Sequence, residues 1–132
     1  MTAAMKKAIA GLPGVLLGVI LSMPLLVKGL IALQIADFAS GFLVAWANGT
    51  VSSDASRKGF TKKAVALLLV FGIKVMENVQ PMGFELSAYV AGWFCLTELI
   101  SITENAAKAG LPIPGKLTQV LAQLQDKQGP KA

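Results

Sequence analysis

Five charged side chains stand inside or against apolar stretches of this chain: Lys28, Asp37, Lys74, Glu77 and Glu98. Asp37 is set in the middle of "KGLIALQIADFASGFLVAWANG", residues 28 to 49, far from either end of the run. Glu98 is followed by Ser101 and Asn105 at i+3 and i+7, so the three share one helical face, with Glu104 beside them in "ELISITEN". Lys74 and Glu77 are i, i+3 neighbours, a spacing that allows an ion pair within one helix. Catalysis would call for a nucleophile placed beside a base, or for a cluster of metal ligands, and the sequence offers neither. There is no histidine, the single cysteine is Cys95, and no glycine-rich loop is placed to cradle a phosphate. The expected function is therefore not enzymatic and uses neither a metal nor a cofactor.

Which solvent surrounds these charges decides what they do. The chain has 132 residues, 55% of them hydrophobic and only 14% charged, with a mean hydropathy of +0.65. A soluble domain carries about 25% charge, so there is too little here to coat a globule. The apolar residues gather in segments at about 8–23, 25–47, 64–80 and 83–103. A hydrocarbon core about 30 Å thick needs roughly 20 helical residues, and each segment approaches that length. The fold class expected is all-α: three to four transmembrane helices arranged as hairpins, associating into oligomers, with a short amphipathic helix at the C-terminus. Residues 1–110 form the membrane unit and 111–132 the tail. In the tail Leu117, Val120, Leu121 and Leu124 fall at i, i+3, i+4 and i+7, an apolar stripe that needs a surface to lie on.

Between the second and third segments "NGTVSSDASRKGFTKK", residues 48–63, reads as a polar, turn-rich, basic loop. Pro24 and "QPMG" at 80–83 mark the two tight reversals. Ten of the twelve basic residues lie before the first segment, in this loop or after the last segment, and the short reversals carry none. By the positive-inside rule the loop and both termini are cytoplasmic. The basic, apolar start "MTAAMKKAIAGLPGVLLGVILSMP" lacks a convincing cleavage site and is read as an uncleaved first helix. The four cations of the loop mark topology and anionic lipid, with no nucleic-acid partner expected.

Helices in lipid approach one another through small residues. Gly14, Gly18 and Ser22 recur every four residues in the first segment, and Ala36 and Ser40 do so in the second, after Ala32 and beside Gly41 and Ala45. These stripes suit contact within the chain or between copies equally. Each helix also offers a polar side, carried by Asp37, Gly41, Lys74, Glu77, Glu98, Ser101, Glu104 and Asn105. Two roles fit such intramembrane polar groups: a static cluster that sets helix register, or the lining of a wet path when subunits associate.

Beyond these residues, the chain resembles the phage holin family of toxin-secretion and phage-lysis holins of Gram-positive bacteria and their phages. The resemblance rests on "DFASG" at 37–41, on Ser52 and Ser53 with Gly59 and Lys63 following, and above all on "ELISITENAAKAGLPIPGKL" at 98–117. The last is similar to the family's Ser-Ile-x-Glu-Asn followed by Gly-x-Pro-x-Pro. Lys74, Glu77 and Asn78 depart from the family, whose third helix is commonly apolar and ends near an aspartate. The resemblance implies a small multi-pass protein of the bacterial cytoplasmic membrane that associates with itself and opens holes. Through them a cytoplasmic endolysin or a large protein toxin leaves the cell. The competing classes are a small four-helix transporter, whose first helix would carry the acid missing here, and a non-conducting membrane scaffold.

Overall fold

The computed structural model describes residues 1–22 and 24–128, the side chains of 15, 16, 18–20, 22 and 128 excepted. It contains five helices and, among the described residues, no strand: α1 (Ala3–Ser22), α2 (Leu25–Ala47), α3 (Ser53–Val79), α4 (Leu86–Lys108) and α5 (Gly115–Gln128). Among the described residues two of them, α2 and α4, each 23 residues, are long and apolar enough to cross a bilayer. In α3 the apolar stretch is shorter, held between Lys63 on one side and Lys74 with Glu77 on the other.

α4 is the centre of the bundle and packs against α2, α3 and α5. Ser87, Ala91 and Cys95, one every four residues, give it a narrow face on which α2 can lie close. Leu26 and Leu30 of α2 and Leu67 and Val70 of α3 pack around Ala91. The bond partners of α2 and α4 keep a nearly constant offset, Leu26 with Cys95 and Asp37 with Asn105, so these helices run parallel. α3 returns antiparallel between them: Lys63 meets Glu98 near one end of its packed face and Glu77 meets Ser87 at the other.

The turns are set by glycines in the left-handed region. At the end of α2, Gly49 has φ 67°, Thr50 N–H donates to Ala45 C=O and Gly49 N–H to Trp46 C=O, the paired bonds of a Schellman stop. Gly110 repeats this after α4 with φ 89°, Leu111 bonding Ala106 and Gly110 bonding Ala107. Pro112 and Pro114 follow, so "GLPIPG" is a helix stop and restart.

The residues 48–63 are not a loop throughout. α3 begins at Ser53, capped by Ser52, whose Oγ accepts from Ala55 N–H at 3.3 Å. Asp54 sits in the first turn, where the helix dipole favours an acid, and pairs with Arg57 and Lys58 at 2.8 and 3.0 Å. These cations, Arg57 first, hold its carboxyl below its ordinary value of 3.8. The helix therefore starts ten residues before Lys63, and this lysine enters the bundle instead of lining a loop.

The surface is inverted relative to a soluble domain. Gln34 and Ser87 are buried, while Ile35, Leu43, Trp46, Leu68 and Phe71 are each at least 60% exposed. The accessible surface is 9539 Å², against about 6,600 Å² expected for a compact soluble monomer of this mass. Such an apolar exterior is what lipid or further subunits cover. Met5, Ile9, Leu12, Leu17 and Leu21 leave α1 exposed along its described length. α5 turns back onto α4 and buries Leu121, while Leu117, Val120 and Leu124 stay partly open.

Candidate functional site

The polar sides of three helices meet at one point. Lys63 of α3 reaches Asp37 Oδ2 of α2 at 2.6 Å and Glu98 Oε2 of α4 at 2.5 Å. All three side chains are 16% exposed or less. Asn105 Nδ2 donates to Asp37 Oδ1 and to Ser40 Oγ, both at 3.0 Å, and lies 3.3 Å from Asp37 C=O. Gln34 Nε2 donates to Lys63 C=O at 3.1 Å. One ammonium, two carboxylates and two amides thus tie α2, α3 and α4 together.

The depth of the cluster follows from helix geometry. Asp37 and Glu98 each lie twelve residues from the start of a 23-residue helix and ten from its end, about 18 and 15 Å along the axis. A carboxylate at that depth is tolerated when it is paired and hydrogen-bonded, and Lys63 provides the pairing. Gly41 has its place here too: a Cβ built on it would stand 3.4 Å from Asn105 Nδ2. The small residue lets Asn105 lie against α2.

A second polar contact closes the other end of the bundle. Glu77 accepts from Ser87 N–H at 2.6 Å and from Ser87 Oγ at 2.7 Å. α4 has no cap from its own N-cap residue, so a carboxylate from α3 satisfies one of its free N–H groups and complements its dipole. Lys74 lies 3.5 Å from Glu77 and is half exposed. Lys28 Nζ donates to Leu21 C=O at 2.7 Å, at the junction of α1 and α2.

The expected site residues are therefore divided. Asp37, Gly41, Glu98 and Asn105 converge, joined by Ser40, and Ser101 lines the cleft beside them. Lys74 and Glu77 sit apart at the start of α4. Glu104 is exposed, as is Ala36, which points out of the bundle. Gly14 has nothing near it, and Gly18 and Ser22 lie outside the described side chains. Lys63 and Gln34 were not expected in the site. A signal for Lys63 was present: Leu67, Val70, Lys74 and Glu77 follow it at i+4, i+7, i+11 and i+14, one continuous helical face.

Comparison with known proteins bears on what such a bundle does. A family model described as the bacteriophage holin family matches residues 14–126. An uncharacterised protein of Listeria monocytogenes is 31% identical over 105 residues, covering 80% of this chain and 75% of that protein. An uncharacterised protein of Halalkalibacterium halodurans is 29% identical over 106 residues, 76% of this chain and 78% of its own. A probable holin of Bacillus phage phi105 is 24% identical over 102 residues, 77% of this chain and 76% of its own. No solved structure matches significantly. With two bilayer-length helices, an inverted surface and a family match over most of its length, the chain belongs to the bacteriophage holin family.

Proposed function

We propose that this protein is a holin that oligomerises in the bacterial cytoplasmic membrane and opens holes through which a cytoplasmic endolysin, or a large protein toxin, passes. The observation that carries the reading is the buried cluster of Asp37, Lys63, Glu98 and Asn105 inside a bundle whose outer surface is apolar. In the single chain the polar faces of α2, α3 and α4 satisfy one another and lipid meets a mainly apolar surface. A hole of many copies needs a wet wall, and those same faces are the polar surface available at membrane depth. Opening is then an exchange of partners: the carboxylates and ammonium leave each other for water, and apolar faces turned outward remain in lipid or pack between copies. Residues 1–110 form the membrane unit in this scheme, and 111–132 a cytoplasmic tail with α5 at the interface; both termini and the 49–52 turn face the cytoplasm, a placement supported by the distribution of lysine and arginine.

The test is the turbidity of a bacterial culture in which the protein is induced with and without a cytoplasmic endolysin that has no export signal. Abrupt clearing only when both are present supports holes wide enough for a folded enzyme. Continued growth with the protein in the membrane refutes them, and solute-specific uptake into vesicles would instead favour a transporter.

A further inference from the structure

The two spaces between α2 and α3 differ in kind on either side of Lys63. On the side of the 49–52 turn lies a cleft of about 270 Å³. Its walls carry Asp37, Thr50, Ser52, Ser56, Lys63 and Ser101, with Phe38, Phe42 and Val51 between them. On the other side lies a groove of about 710 Å³ walled mainly by Leu26, Val27, Ile31, Leu67, Leu68 and Phe71, with Lys74, Glu85 and Ser87 at the end away from Lys63. Water occupies a space when it is large enough and offers two to four polar partners, and leaves it dry when the lining is apolar. The cleft exceeds the roughly 10–15 Å³ that one water needs many times over, and hydroxyls from α3, α4 and the turn face it. Along α3 between Lys63 and Lys74 the groove offers hydrocarbon.

From this contrast we infer that the cleft is a one-sided aqueous vestibule that ends at the Lys63 ammonium, so the buried cluster is hydrated only from the membrane face bearing the 49–52 turn. The inference rests on the proposed membrane placement, and not on the formation of holes. Lys63, held between Asp37 and Glu98, is the floor. Beyond it Leu67 and Val70 pack against Ala91, and α3 places no polar side chain between Lys63 and Lys74 to continue the path. The single chain is thus wet to mid-membrane on one side before any assembly, and releasing Lys63 is the step that would join the vestibule to the far side.

Thiol accessibility in the full-length protein tests this. In a Cys95→Ser background, single cysteines are placed in the cleft (Ser101→Cys on α4, Ala45→Cys on α2) and at exposed apolar positions of similar depth (Leu99→Cys, Leu43→Cys). Leu67→Cys lies one turn past Lys63. A charged, membrane-impermeant methanethiosulfonate is applied to each face of sealed vesicles that still retain an entrapped dye, so no hole has formed. The cleft positions should react from the turn face at least about tenfold faster than their lipid-facing partners, since a charge entering hydrocarbon is disfavoured by more than that factor. Leu67→Cys should react from neither face. Should one cleft variant fail to accumulate, the other reads the same space. Cleft cysteines no faster than Leu99→Cys and Leu43→Cys would mean a dry cleft and overturn the inference; equal reaction at Leu67→Cys would mean that Lys63 is not its floor. A dry cleft would leave the culture-clearing result unaffected, and a failure to clear would leave the accessibility pattern intact.

Discussion

Replacing Lys63 with methionine keeps the length of the side chain and removes the charge that two carboxylates share. Its Nζ lies 2.6 Å from Asp37 Oδ2 and 2.5 Å from Glu98 Oε2, so without it two acids face each other across at most about 5 Å. Two unit charges at that separation repel by about 3 kcal/mol at an effective dielectric of about 20. Removing one partner of a buried pair generally costs about 3–5 kcal/mol, because the remaining charge is left uncompensated. Lys63→Met should therefore lower stability by about 3 kcal/mol or more, roughly a hundredfold in the folding equilibrium. The assay is unfolding in mixed detergent micelles followed by the fluorescence of Trp46 and Trp93. Adding Glu98→Gln to Lys63→Met removes the repulsion and should restore at least half of the loss, a coupling that a double-mutant cycle isolates. A Lys63→Met protein within about 0.5 kcal/mol of the parent, the scale of a neutral surface change, would mean that Lys63 does not hold the two acids together. So would a double variant no more stable than the single one.

Other changes read other parts of the structure. Gly41→Val crowds Asn105, which already stands 3.4 Å from an added Cβ, and should destabilise the bundle by about 1–3 kcal/mol, while Gly41→Ala stays near the parent in the same unfolding assay. Glu77→Ala removes the acceptor for Ser87 N–H and Oγ; hydrogen exchange at the start of α4 should quicken, with the Lys63 cluster unaffected. Asp54 has its carboxyl held below 3.8 by Arg57 and Lys58. A depressed folded-state pKa gives stability that is present above the unfolded value, about 3.9, and is lost as pH falls through the folded one. Asp54→Asn should therefore flatten the fall in α3 stability below about pH 4, read by circular dichroism, and leave neutral pH nearly unchanged.

The apolar helices were legible because their runs are unbroken: α2 matches the segment 25–47, and α4 needs only its start moved past the left-handed Gly83 and its end extended to Lys108. α3 was not legible at its start. Basic and turn-forming residues between Asn48 and Lys63 read as loop, and what decides otherwise is local, the Ser52 cap with Asp54 in the first turn. That shift in one boundary carries the site, because a lysine on a loop marks topology while the same lysine on the third turn of a helix faces the bundle. Asp37 and Asn105 were each singled out, yet their meeting depends on contacts 68 residues apart along the chain. Ala36 shows the converse limit: four-residue spacing says that small side chains share a face, but not which face the bundle uses. Glu77 acquired its partner across the turn at 80–85, whose geometry depends on a glycine with φ 75°.

In the proposed function the buried polar faces become the wall of a hole that passes folded protein. The most direct measurement uses purified protein reconstituted into liposomes loaded with a small dye and a folded fluorescent protein, with Lys63→Met in parallel. Both cargoes should escape together once the protein density passes a threshold, and Lys63→Met, with its cluster already released, should lower that threshold. Escape of the dye while the folded protein stays inside, or a threshold that ignores Lys63, would contradict that function.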